Sequence, residues 1–265
     1  PDWVHVTPES GAETEGITWG FGNTQYVAAQ EDNSGPSITV DPGNGGTGGI
    51  GDGADVVSES GLPAGSDAPA ATEFAQGTFT VSDPDGLSDI QSVTINNTTI
   101  PVADLAGTVI AGVSGKLTIT SYNPSTGVGS YTYELTTPTT DGPGPETDIF
   151  TLKTTDSSGS SEEATITIEI TDDVPHAVSD AHYIQEDATD AITGNVLAND
   201  QSGADEPATF VNWSSIAASY GTFTDTGNGT YSYILNNANV AVQALGNGET
   251  LKETFQYTMQ DADGD

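Results

Sequence analysis

The sequence has no arginine, no cysteine, three lysines and one methionine among its 265 residues. Each shortage closes off a class of function. Against 3 basic residues stand 39 Asp and Glu, for a formal net charge of -36. Binding nucleic acid requires a basic stripe that displaces counterions from phosphates, and this chain cannot form one. An anionic membrane surface would repel it. Without cysteine there are neither disulfides nor thiolate metal sites. Small extracellular domains often use disulfides to supplement a small core, so a cysteine-free one needs another staple. No apolar run is long enough to span a bilayer, and no signal-peptide pattern opens the chain at Pro1, which reads as the start of a piece of something larger. We therefore expect no nucleic-acid partner, no membrane insertion and a monomer.

Uncompensated charge of this size pushes a compact fold apart. Disorder, a halophilic habitat or bound cations would each resolve the conflict. Aromatic and β-branched residues sit in alternating runs, which disordered chains lack. Halophilic proteins spread acid over their surfaces, whereas here much of it is gathered in short Asp/Gly loops. That distribution favours bound metal.

Helical periodicity is scarce; the best short candidate is Asn239 to Leu245, ahead of Gly246. Strand signals recur instead, separated by Gly, Pro, Asn and Asp. Ala164 to Ile170 alternates cleanly, and Thr78–Val81, Ser92–Ile95, Lys116–Thr120, Ser130–Leu135 and Asp148–Lys153 read the same way. This spacing suits β-sandwiches. A repeat organises them. Gly129-Ser-Tyr-Thr-Tyr-Glu-Leu135 matches Gly229-Thr-Tyr-Ser-Tyr-Ile-Leu235. Further on, Phe150 aligns with Phe255, Leu152 with Tyr257 and Asp156 with Asp261. The expected fold is all-β, with tandem immunoglobulin-like (cadherin-like) sandwiches. Residues 1–50 read as an aromatic-rich segment (Trp3, Trp19, Phe21, Tyr26), the end of a preceding unit that includes Ser37 to Val40, and a glycine-rich linker. Residues 51–171 form the first sandwich. Residues 172–265 form the second, which lacks a counterpart of the first one's last strand.

The acidic loops carry the chemistry. Calcium takes six to eight oxygens at about 2.3–2.6 Å, from carboxylates, carbonyls and water. Asp83-Pro-Asp-Gly-Leu-Ser-Asp89 supplies Asp83, Asp85 and Asp89, and Gly86 permits the turn that gathers them. Its strand flanks and the lack of a Glu at the twelfth position exclude an EF-hand. Asp156 closes the matching strand. A similar loop, Asp261-Ala-Asp-Gly-Asp265, offers Asp261, Asp263 and Asp265 at a different point of the second copy. Glu59 lies near the start of the first copy and Glu186-Asp187 near the start of the second. Asp172-Asp173 sits at the junction, where an acidic pair and an entry acid could clamp one shared ion. Asn199-Asp200 and Asp205-Glu206 are candidates to complete a site near Glu186. Several Ca2+ ions are therefore expected, with Asp200 among their ligands.

Asp172-Asp-Val-Pro-His-Ala-Val-Ser-Asp-Ala, then Glu186-Asp, then Gly194-Asn-Val-Leu-Ala-Asn-Asp200 resembles the tandem repeats of RTX-type bacterial adhesins. So does Val57-Ser-Glu-Ser-Gly-Leu-Pro-Ala-Gly-Ser66 followed by Gly77-Thr-Phe-Thr-Val-Ser-Asp-Pro-Asp-Gly86. The resemblance covers roughly residues 51–265. It implies calcium-binding immunoglobulin- or cadherin-like sandwiches, type I secretion and retention at the bacterial surface. It also implies a role as a calcium-stiffened extender in attachment and biofilm formation, with neighbouring repeats as partners. The alternative is a ligand-binding region for a surface glycan or peptide. Asn199-Asp200 departs from the pattern, being followed by Gln-Ser-Gly-Ala-Asp rather than a longer Asp/Gly run.

Other motifs read as background. Ile50-Gly-Asp-Gly-Ala-Asp-Val-Val57 fits one turn of a calcium β-roll with one mismatch, but a β-roll needs several stacked copies. His5, His176 and His182 form no metal-ligand pair on one element, no G-x-S-x-G occurs, and pairs of acids are too common to single out a glycosidase. An enzyme is not expected. Lys153 and Lys252 do not occupy matched positions, which argues against an isopeptide staple. Tyr131, Tyr133, Tyr231 and Tyr233 alternate on strands, and one of each pair is expected to face the core.

Overall fold

The computed structural model describes residues 34–43, 55–140 and 142–265. The aromatic N-terminal residues and the Ile50–Ala54 portion of the β-roll-like run lie outside them. Ten strands precede the junction: β1 (Ser37–Pro42), β2 (Asp55–Ser58), β3 (Phe74–Ser82), β4 (Ile90–Ile95), β5 (Thr98–Pro101), β6 (Val109–Ala111), β7 (Gly115–Asn123), β8 (Val128–Leu135), β9 (Glu146–Asp156) and β10 (Ser161–Thr171). They make two five-stranded sheets, ordered β1-β3-β8-β7-β6 and β2-β10-β9-β4-β5. Every pairing is antiparallel except β2 with β10. After the junction come β11 (Ile192–Asn195), β12 (Thr209–Ser215), β13 (Gly221–Gly227), β14 (Thr230–Leu235) and β15 (Gln256–Gln260), in sheets β11-β14-β13 and β12-β15. All six strand segments expected from alternation lie within these elements.

Period-two alternation builds the core directly. On β10, Ile166, Ile168 and Ile170 point inward and the intervening residues do not. They meet Phe79, Val93, Leu117, Phe150 and Leu152, all fully buried. Burying each such side chain contributes about 1.5–3 kcal/mol. Residues two apart on a strand share a face, so both tyrosines of each repeated hairpin are buried, not one. Their bulk is accommodated by glycine across the strand. A Cβ on Gly77 would lie 2.3 Å from the Tyr131 hydroxyl, and one on Gly194 would lie 2.7 Å from that of Tyr231.

Two expectations change. Ser37–Pro42 belongs to the first sandwich: it pairs with β3 from Ser37↔Ser82 to Pro42↔Gly77, and Ile38 joins the core. Asn239–Leu245 is a run of turns, with Gln243 N–H donating to Asn239 O at 3.0 Å and Leu245 N–H to Val242 O at 3.2 Å. Asn236 and Asn239 side chains accept from Ala238 and Ala241 N–H, closing local turns that compete with a helix too short to repay its nucleation. No α-helix occurs among the described residues.

Strand direction gives each sandwich a head and a tail. In the first, β3 and β9 end at the head, while β2, β8 and β10 end at the tail. The head of the second sandwich meets the tail of the first. The linker between them is held from both sides. Asp173 accepts from Ser66 N–H at 2.7 Å and from the Ser66 hydroxyl. Gly203, at φ +74, passes so close that a Cβ would lie 1.9 Å from Asp173 O. His176 and Gln201 exchange backbone hydrogen bonds at 2.9 and 3.0 Å.

Candidate metal centres at the sandwich poles

Among the described residues there are two acidic clusters, one at the junction and one at the head of the first sandwich. At the junction, one oxygen each from Glu59, Asp172 and Asp205 lies within 4.8 Å of the others. At the head of the first sandwich, Asp83, Asp89 and Asp156 do the same. Two oxygens that each sit about 2.4 Å from one ion can be no more than about 4.8 Å apart, so either set can share a cation.

The repeat explains the likeness. Asp156 ends β9 and Asp261 follows β15, its counterpart. Asp156 Oδ1 accepts from Ser158 N–H at 2.9 Å and Ser160 N–H at 2.8 Å. Asp261 Oδ1 accepts from Gly264 and Asp265 N–H, both at 3.0 Å. In each case Oδ1 pins the loop, and Oδ2 is buried with no hydrogen-bond partner. Asp83 is built the same way: Oδ1 accepts from Asp85 N–H at 2.8 Å and Oδ2 is left over. Gly86, at φ +104, turns this loop. Asp85 itself is exposed and accepts from Ser34 N–H at 2.8 Å. Asp89 accepts from the Ser157 hydroxyl.

Glu59 is 1% exposed, and Thr139 holds its Oε1 through N–H at 2.6 Å and through its hydroxyl, which also contacts Glu146. Glu59 Oε2, Glu146 Oε1 and Asp205 Oδ2 are buried without partners. Burial pushes the Glu59 carboxyl up to about 7, and nearby Asp205 adds to the rise against the Thr139 hydrogen bonds. Asp205 is raised too, by burial first and, against a hydrogen bond with the Glu59 carboxyl, by Asp261, Glu146 and Asp173. A buried polar atom without a partner is costly, and carboxylate oxygens gathered within 4.8 Å of one another make a site suited to a positive charge. The described ion pairs, Lys116–Glu134 and Lys153–Glu163, touch neither cluster. With carboxylate oxygens as the donors and neither sulfur nor histidine nitrogen, the sets fit a hard cation such as calcium.

The remaining candidates have other surroundings. Asp173 is engaged by Ser66. Asp200 accepts from the Tyr257 hydroxyl at 2.9 Å and from Val178 N–H at 2.7 Å. Asp187, at φ +67, accepts from Gln243. Neither cluster includes Asp85, Asp173, Glu186, Asp187, Asp200, Asp261, Asp263 or Asp265. Asp205, read as a helper near Glu186, instead faces Glu59 across the junction. Glu146 and Thr139 carry no signature in sequence.

A second carboxylate pattern recurs inside the cores. Asp148 accepts from the Tyr133 hydroxyl at 3.1 Å and from Val113, Ser114 and Gly115 N–H. Its counterpart Glu253 accepts from the Tyr233 hydroxyl and from Ser219 and Tyr220 N–H. Each carboxylate bridges one sheet to a turn of the other, and burial beside it drives the tyrosine hydroxyls far up from their ordinary range. Phase gives the signal: Asp148 and Asp156 fall on the same face of β9 as Phe150 and Leu152.

Among solved structures, the titin domains Z1Z2 in complex with telethonin align with 16% identity, covering 77% of this chain and 82% of that one, at a TM-score of 0.34. The N-terminal Ig1-2 module of the Drosophila receptor protein tyrosine phosphatase DLAR aligns with 11% identity, covering 77% and 85%, at a TM-score of 0.25. No curated protein sequence matches. Residues 172–265, the second sandwich with its half of the junction cluster, match the family described as the bacterial cadherin-like domain.

Proposed function

We propose that this chain is a calcium-stiffened extender segment of a large secreted bacterial adhesin of the RTX type, held at the cell surface, where it supports attachment and biofilm formation. The observation that carries the reading is the junction cluster. It brings a carboxylate oxygen of Glu59, at the tail of one sandwich, within 4.8 Å of oxygens of Asp172 at the junction and Asp205 at the head of the next, with Glu59 Oε2 and Asp205 Oδ2 buried. Calcium bound there would supply a concentrated positive charge, and the chain's residues do the rest. Through that charge Glu59 and Asp205 would tie the two poles together, Thr139 fixes the Glu59 carboxylate, the Ala262 N–H of the Asp261 loop holds the Asp205 backbone carbonyl, and the Asp173–Ser66 contact limits rotation of the linker.

Extracellular calcium modules bind at about 0.1–1 mM, so external medium loads such sites and a low-calcium cytoplasm does not. The chain would leave the cell pliable and stiffen outside. Cadherin-like and immunoglobulin-like folds serve characteristically as structural and binding modules, which agrees with a non-catalytic role. The partners are then neighbouring repeats of the same polypeptide. Small-angle scattering and a thermal melt, in about 2 mM calcium and again in excess chelator, test the reading. We expect a longer, better-defined particle and a higher melting temperature with calcium. Identical curves would remove the mechanism.

A further inference from the structure

We propose that Asp55 and Tyr131 form an acid-closed latch, which seats β2 against the opposite sheet of the first sandwich and lets that strand open locally as pH rises. Asp55 begins β2 and is wholly buried, sharing the inward face of the strand with Val57. Its Oδ2 accepts from the Tyr131 hydroxyl of β8 at 2.6 Å, a bond that crosses from one sheet to the other. Its Oδ1 is buried with no hydrogen-bond partner.

A second carboxylate in the same core shows what Asp55 lacks. Ile168 of β10 stands in register between Asp55 on β2 and Asp148 on β9. Asp148 accepts from the Tyr133 hydroxyl at 3.1 Å and from the Val113, Ser114 and Gly115 N–H groups at 3.1, 3.2 and 3.2 Å. Four donors hold that carboxylate, and Asp55 has one. An ionised carboxylate short of donors is costly in a core and is relieved by taking a proton or by reaching water. The other elements around Asp55 bring no positive charge. β10 presents Ile168, and β3 presents Gly77 beside the Tyr131 hydroxyl. β1 contributes Asp41, an exposed acid whose charge acts on Tyr131. Burial accordingly pushes the Asp55 carboxyl up to about 6, against the Tyr131 hydrogen bond.

Asp55 reaches water only if β2 moves, and β2 is the strand most easily detached. It has four residues, lies at the edge of its sheet and pairs with β10 alone among the described residues. A glycine-rich run precedes it in the sequence. A short segment with few partners opens at a fraction of the cost of global unfolding. With the proton on, Asp55 stays inside and its bond from Tyr131 keeps β2 seated. With the proton off, opening β2 hydrates the carboxylate while the other strands remain in place. A carboxyl that titrates at 3.8 when open and at about 6 when closed makes the open form about tenfold more populated at pH 7 than at pH 5, with little change above. This proposal rests on neither metal centre.

The test reads amide hydrogen exchange at Val56–Ser58 in the full chain, in chelator, from pH 5 to 8, corrected for the intrinsic exchange rate. Glu59 lies just beyond β2 and its own carboxyl is raised to about 7, so the comparison is made in Glu59→Gln. We expect opening of β2 to rise about tenfold by pH 7 and then level off, with β8 and β9 unchanged. Adding Asp55→Asn should abolish the rise. Carboxyl-carbon NMR of the parent chain, with Asp55 assigned through its own backbone, should place its midpoint near about 6, and decides the matter by itself should Asp55→Asn not fold. A flat profile, a rise that Asp55→Asn retains, a rise shared equally by β8 and β9, or an Asp55 midpoint near about 4 would each overturn the proposal.

Discussion

Replacing Glu59 by Gln should stabilise the chain in chelator and destabilise it in calcium. The oxygens of Glu59, Asp172 and Asp205 lie within 4.8 Å of one another. At an effective dielectric of about 20, two unit charges at that distance repel by roughly 3.5 kcal/mol. The metal-free cluster relieves part of this by holding a proton, since the Glu59 carboxyl is raised to about 7. At pH 8 the proton is mostly gone and the repulsion is felt. Glu59→Gln removes two of the three repulsive pairs while keeping the oxygen that accepts from Thr139. The metal-free melting temperature should therefore rise. In about 2 mM calcium, one ion with a Kd of about 0.1–1 mM stabilises the folded chain by roughly 0.6–1.8 kcal/mol. That corresponds to about 1–7 °C in melting temperature. The variant should lose most of the increment from the junction ion. Differential scanning calorimetry of parent and variant at pH 8, with calcium and with chelator, gives the four values required. A variant that melts lower than the parent in chelator, or that keeps the parent's full calcium increment, refutes the cluster as a cation site.

Other outcomes follow from the same geometry. Asp156→Asn should remove about one calcium equivalent in isothermal titration and leave the scattering profile of the junction unchanged, because Asp156 sits at the opposite pole. Without metal, stability should fall as pH rises. Burial raises Glu59 from 4.5 to about 7 and Asp55 from 3.8 to about 6, the latter partly offset by its bond from the Tyr131 hydroxyl. The folded chain then keeps protons that the unfolded chain has released, so their contribution is full below the unfolded values and lost by about pH 7. Melts in chelator from pH 5 to 8 check the sign, and Glu59→Gln should flatten the slope. Tyr133→Phe takes one hydrogen bond from buried Asp148 and should cost about 1–3 kcal/mol in urea unfolding, with the three backbone donors limiting the loss.

Much of the fold was legible because alternation and burial are the same fact on a strand. Ile166, Ile168 and Ile170 announce an inward face, and the Gly-x-Tyr-x-Tyr hairpin announces its own second copy. The strand Ser37–Pro42 was misplaced because a glycine run separates it from β2, and sequence distance hides its pairing with β3. The head cluster of Asp83, Asp89 and Asp156 could be read in part, since two of its members share one loop. The junction cluster could not be read whole. Glu59, Asp172 and Asp205 come from segments up to 146 residues apart, and only the head-to-tail stacking of sandwiches joins them. Asp148 shows the same limit: its phase marks it as buried, but nothing in its neighbours names Tyr133 as the donor.

The parallel pairing of β2 and β10 has a mechanical consequence. Thr171 leads directly to the junction, while β2 follows β1, the strand that enters the first sandwich and pairs along its length with β3, and β2 and β10 run side by side from Ile168↔Asp55 to Thr171↔Ser58. Once β1 has yielded, tension between the two ends of this sandwich drags β2 and β10 past each other along their length. Their hydrogen bonds are then loaded together, in shear, rather than opened one after another from an end. A tether under flow is strongest when its bonds must fail at once.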